Sequence, residues 1–158
     1  MTISAYQGVG SIAAPMALAL ENDKGLFVLA ATSNVESFTT QTAVVNRGKG
    51  VGRSVAASIV DEVKRSNAAP LGSCGVVIGA TVRLSDFGLL PSDLAATPVL
   101  SPGFGFQGAA FDAIPTLFGD AAANVVVSSS RAILEEGPDG IRSAIEQHTS
   151  RLAEVFAV

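Results

Sequence analysis

The chain has 158 residues, 48% hydrophobic and 15% charged, with a formal net charge of -4. That is the length of a single domain with ample material for a core. Its lysines and arginines are too scattered for a nucleic-acid-binding patch, no segment is long enough to span a membrane, and the N-terminus lacks a signal-peptide layout, so the cytoplasm is the expected compartment.

In chain order, residues 2–4 read as a first short strand. Residues 11–20, rich in Ala, Leu and Met, read as a helix. The continuous apolar run 26–31 reads as a second strand, buried on both faces as in a parallel sheet. Residues 36–50 are polar and end in Gly48 and Gly50 around Lys49, which suggests an exposed excursion. Val51, Val55, Ile59 and Val63 then recur every four residues, as on one helix face. Further strands are expected at 76–79, 99–101 and 124–128, with helix-like segments between them. Gly137-Pro138 marks a break before a last helix, on which Ile141, Ile145, His148, Leu152 and Val155 share a face.

Strands alternating with helices argue for βαβ units and a parallel sheet. Two architectures suit the pattern. One is part of a (β/α)8 barrel, since a complete barrel usually needs roughly 200 residues or more. The other is a five-stranded flavodoxin-like sheet. Spacing alone does not separate them.

Two strand-ends carry candidate chemistry. Residues 101–108 read Ser-Pro-Gly-Phe-Gly-Phe-Gln-Gly, and residues 125–131 read Val-Val-Val-Ser-Ser-Ser-Arg. Gly103, Gly105 and Gly108 suit either a flexible turn or a loop whose exposed amides cradle a phosphate. Arg131 offers a planar donor fork for the same anion. A cation at the start of a helix is mildly disfavoured by the helix dipole, so an anion there would compensate it. In a (β/α)8 barrel the loops after the last two strands commonly bind phosphate. Phe104 and Phe106 suit either lids or packing. The one cysteine, Cys74, allows no internal disulfide and reads as a buried small hydrophobe. The one histidine, His148, reads as structural, and together these two residues make no zinc ligand set. There is no Gly-x-Ser-x-Gly elbow for a serine nucleophile.

Five segments in register resemble the orotidine 5′-phosphate decarboxylases, in their actinobacterial-type branch. They are residues 2–8 (Thr-Ile-Ser-Ala-Tyr-Gln-Gly), 25–34 (Gly-Leu-Phe-Val-Leu-Ala-Ala-Thr-Ser-Asn), 75–81 (Gly-Val-Val-Ile-Gly-Ala-Thr), 102–108 and 125–131. The resemblance implies a single domain over residues 1–158, the C-terminal portion of a (β/α)8 barrel from its fourth strand onward. It implies a nucleotide monophosphate ligand and no metal or organic cofactor. Phosphate contacts would fall to Gly105, Gln107, Gly108 and Arg131. A pyrimidine contact would fall to Ser33, with Thr32 and Asn34 close enough to blur the match by one position. Leu29, Ile78 and Pro102 would line an apolar pocket, ordinary packing being an equal alternative for each.

The chain departs from the family pattern in three places. Ala5 stands where proline is usual, and Ala109 where many relatives have a second glycine. The family's catalytic motif, Asp-x-Lys-x-x-Asp, does not occur in this sequence. In the family that motif supplies the proton donor and the residue lent by the second subunit of a dimer. The expectation is therefore a catalytically silent fragment, a non-catalytic nucleotide-binding module, or a half-barrel needing a complementing chain, with open sheet edges that favour a homo-oligomer.

Overall fold

The computed structural model describes residues 1–67 and 71–157. Five strands form one parallel sheet: β1 (Thr2–Ile3), β2 (Leu26–Ala31), β3 (Cys74–Ile78), β4 (Val99–Pro102) and β5 (Val125–Ser128). They lie side by side in sequence order, β1-β2-β3-β4-β5. A flavodoxin-like sheet places its first strand between the second and third. The observed order excludes that alternative and is that of consecutive units in a barrel wall. The sheet is open, with β1 and β5 at its edges.

Register sorts the two faces. Val28, Val76 and Val99 are Cα partners in one row, all fully buried. The adjacent row runs Leu29, Val77, Leu100 and Val126. It is more open, with Leu29 and Leu100 half-buried and Val126 49% exposed. Successive strand residues alternate between faces, so one face lies within the core and the other is more open.

Two full helices cover the first crossovers. α1 (Ala13–Glu21) follows a 3-10 turn and joins β1 to β2. α3 (Val55–Ser66) joins β2 to β3 and buries Ala56, Ala57, Ile59, Val60 and Val63. Its N-cap is Ser54, whose hydroxyl accepts from the Ala57 amide (3.0 Å) and donates to the Phe87 carbonyl (2.5 Å). Val51 lies before this cap and is 60% exposed, so the periodicity ran one turn beyond the helix. The excursion expected at 36–50 is helical at its start: α2 spans Val35–Gln41.

Between β3 and β4 no α-helix forms. Gly88, at φ +65°, and Pro91 break the segment into 3-10 turns, Leu84–Phe87 and Pro91–Leu94. Between β4 and β5 lie two 3-10 turns and the short α4 (Ile114–Phe118). After β5 come α5 (Arg131–Leu134) and α6 (Gly137–Phe156), the latter starting at the anticipated Gly-Pro. No helix among the described residues is long and apolar enough to cross a membrane.

Candidate functional site

In a parallel sheet all strands end at the same side, and their following loops gather there. The loop after β4 begins at Gly103. Gly103, Gly105 and Gly108 all have positive φ, at +116°, +74° and +95°. The loop closes on itself: the Gly105 amide donates to the Ala109 carbonyl (3.0 Å), and the Gly108 amide to the Gly105 carbonyl (2.8 Å). The amides expected to cradle an anion at Gly105 and Gly108 are thus engaged within the loop. Here the glycines serve the backbone turn. Among the described residues the amides at the loop tip, Phe106 and Gln107, take no hydrogen-bond partner.

This loop packs against the turn after β5. A Cβ added at Gly105 would meet the Ala132 Cβ at 3.0 Å, so an alanine there, already strained at φ +74°, would press the two loops apart by a few tenths of an ångström. Pro102, Gly103, Phe104, Phe106, Gln107, Ser128, Ser130 and Arg131 line one pocket of ≈ 190 Å³. Arg131 is its only charged lining residue, and no carboxylate reaches Arg131 among the described ion pairs. The Arg131 guanidinium carbon sits 4.2 Å from the centre of the Phe106 ring. Sequence reasoning did not anticipate that stack, nor the pocket-lining serines Ser128 and Ser130. Phe104 is buried and packs on Phe111, with ring centroids 5.5 Å apart. His148 stacks edge-on against Phe111 in turn, at 5.4 Å.

Ser33 follows β2. Its neighbour Thr32 is held by Gln41, which accepts from the Thr32 amide (2.9 Å) and donates to the Thr32 hydroxyl (3.1 Å). Ser33 has no such engagement among the described residues. It lines a separate cavity of ≈ 600 Å³ with Thr32, Asn34, Thr81, Arg83 and Asp86, among others. The two cavities lie along one line of neighbours. A Cβ at Gly79 would meet the Ser33 amide at 3.5 Å, and one at Gly103 would meet both Ala80 (3.6 Å) and the Gln107 Oε1 (3.2 Å).

The three expected apolar-pocket residues are not brought into one pocket. Pro102 lines the smaller cavity beside Gln107. Leu29 lines another with Ser4, Ala5 and Tyr6, at the sheet edge beyond the end of β1. Ile78 is fully buried, two residues from Val76 and so on its face of the sheet. No group of three or more His, Cys, Asp or Glu that could hold a metal occurs among the described residues.

A family model described as Orotidine 5′-phosphate decarboxylase / HUMPS family matches residues 1–145. The chain belongs to this family. It is 44% identical over 153 residues to the orotidine 5′-phosphate decarboxylase of Streptomyces coelicolor, an alignment covering 93% of this chain and 52% of that one. Among solved structures it is similar to Leishmania donovani OMP decarboxylase, with a TM-score of 0.66 and 26% identity over 99% of this chain and 57% of that one. It is also similar to Leishmania donovani UMP synthase, with a TM-score of 0.67 and 27% identity over 99% of this chain and 33% of that one. The chain spans about half the length of the curated relatives it matches.

Proposed function

We propose that this chain is the substrate-gripping portion of an orotidine 5′-phosphate decarboxylase, which removes CO2 from orotidine monophosphate to give uridine monophosphate in pyrimidine biosynthesis. Gln107 and Arg131 hold the 5′-phosphate, with the loop-tip amides of Phe106 and Gln107 as further donors. Gly105 and Gly108 shape the loop that presents them. Ser33 contacts the pyrimidine, and Pro102 borders the apolar side of the site. The observation that carries this reading is the single small pocket that Gln107 and Arg131 line together, with one cation and no carboxylate.

The chemistry divides accordingly. Binding energy from a phosphate remote from the reacting carbon can be spent on closing the site around the substrate. Stabilising and protonating a carbanion calls for preorganised charge at that carbon. In this family that charge comes from Asp-x-Lys-x-x-Asp, which the sequence does not contain. None of the lysines substitutes for it. Lys24 precedes β2, Lys49 lies in the loop before α3, and Lys64 is on α3. On this reading the chain binds nucleotide and does not turn it over unless another polypeptide supplies the missing acid.

The test is calorimetric titration of the full chain with uridine monophosphate at fixed ionic strength. Arg131→Ala should lose on the order of 1.5–3 kcal/mol, the worth of a charge-assisted hydrogen bond. Arg83→Ala should lose much less, because Arg83 faces Asp86 at 3.9 Å. Equal losses would displace the phosphate site. Depletion of orotidine monophosphate absorbance by protein freed of host enzyme would refute the division of labour.

A further inference from the structure

Phe106 takes no part in the aromatic pairs found among the described residues. It is 57% exposed at the tip of a glycine-rich loop, where a large apolar side chain gains little from burial. Its ring nevertheless lies 4.2 Å from the guanidinium carbon of Arg131, and both side chains line the pocket that also contains Gln107. We infer that Phe106 is a positioning residue that holds Arg131 ready for an anion, an inference that rests on the phosphate assignment above.

A guanidinium carries its five N–H donors in its own plane, while a cation–π contact uses its face. A guanidinium that meets the Phe106 ring through its face keeps its in-plane N–H donors for a phosphate. A carboxylate partner would occupy those donors, and none is within reach among the described residues. An unstacked exposed arginine samples many rotamers and loses that freedom on binding. The ring removes part of this loss beforehand. Because Phe106 rides on the loop that also carries Gln107, the stack ties the loop after β4 to the turn after β5. The two side chains that grip the phosphate are thereby kept in one arrangement.

The test uses the full chain, the Arg131→Ala and Arg83→Ala variants above, and three more: Phe106→Leu, which keeps apolar bulk without a ring, Phe106→Tyr, which keeps the ring, and Phe106→Leu combined with Arg131→Ala. Affinities for uridine monophosphate and for uridine are measured by calorimetry. Phe106→Leu should weaken monophosphate binding roughly 3- to 10-fold and leave uridine binding unchanged. Phe106→Tyr should restore the parent value. In the Arg131→Ala background Phe106→Leu should cost nothing more. Parent-like affinity in Phe106→Leu, an equal loss for uridine, or a persistent loss without Arg131 would each overturn the positioning role. If Arg131→Ala weakens the monophosphate while Phe106→Leu does not, only the stack fails. Equal effects of Arg131→Ala and Arg83→Ala, or no binding by the parent chain, would overturn the phosphate assignment and the stack together.

Discussion

Arg131 and Arg83 carry the same charge at the same end of the sheet, and their surroundings separate them. Arg83 has Asp86 beside it on the following turn, whereas Arg131 has an aromatic face and, among the described residues, no carboxylate partner. The sequence already singles out Arg131, which follows the last strand and pairs with the glycine loop, over Arg83; the aromatic face on Arg131 was not legible there. Cys74 is the opposite case, legible from its apolar context. It is fully buried, and desolvation pushes its thiol above the ordinary range, against smaller opposing hydrogen bonds from the Leu26 backbone and the Ser66 side chain. A raised thiol pKa keeps the neutral form to higher pH, so the folded chain should resist iodoacetamide at pH 8 and react once denatured. The linked stability is fully present below the unfolded thiol's pKa and is lost as pH rises through the folded value. Urea midpoints should therefore fall on the alkaline side, and Cys74→Ala should remove that part of the slope. Rapid alkylation of the native protein would contradict the burial.

At the scale of elements, β2 was read from sequence over the residues it occupies, and β1, β3, β4 and β5 within two residues at each end. Unbroken apolar runs bounded by glycine, serine or proline leave little ambiguity. The crossovers were harder. The four-residue periodicity located α3, but its start was set by Ser54 bonding both the helix and the distant Phe87 carbonyl. The helix-like reading between β3 and β4 failed because Gly88 and Pro91 allow only 3-10 turns there. Gly75 shows how tightly the sheet is built. A Cβ there would fall 2.6 Å from a Phe27 ring carbon and collide with the Pro98 carbonyl. Gly75→Ala should destabilise the chain by about 1–3 kcal/mol. The check is a lower urea midpoint at unchanged slope; a midpoint equal to the parent would show that the sheet yields at this position.

For the molecule as a whole, the open sheet is the dominant physical fact. Among the described residues β1 and β5 each have one strand partner, and the row Leu29, Leu100 and Val126 is only partly covered. Unpaired strand edges pair with other chains, and contiguous apolar faces associate. Met1 and Tyr6, which flank β1, are 79% and 86% exposed and add to that surface. The purified chain should therefore run as dimers or larger species. Light scattering coupled to gel filtration measures this directly. A monomer of 16.0 kDa persisting across a wide concentration range would mean that the exposed edges and apolar row do not drive association.

The sequence by itself determined the parallel α/β character, the family resemblance and the two glycine- and arginine-bearing loops, because apolar runs and short motifs are local properties of the chain. It left the barrel wall and the flavodoxin-like sheet equally open on spacing, since strand order is a long-range choice that local patterns do not encode. The resemblance already grouped Gln107 and Arg131 on one phosphate; only the tertiary structure laid Arg131 on Phe106 and set Ile78 on the buried face away from the pocket that Pro102 lines. Those outcomes depend on register and on how closely two loops 24 residues apart can approach, Gln107 to Arg131. Closeness of that kind comes from the packing of Gly105 against Ala132.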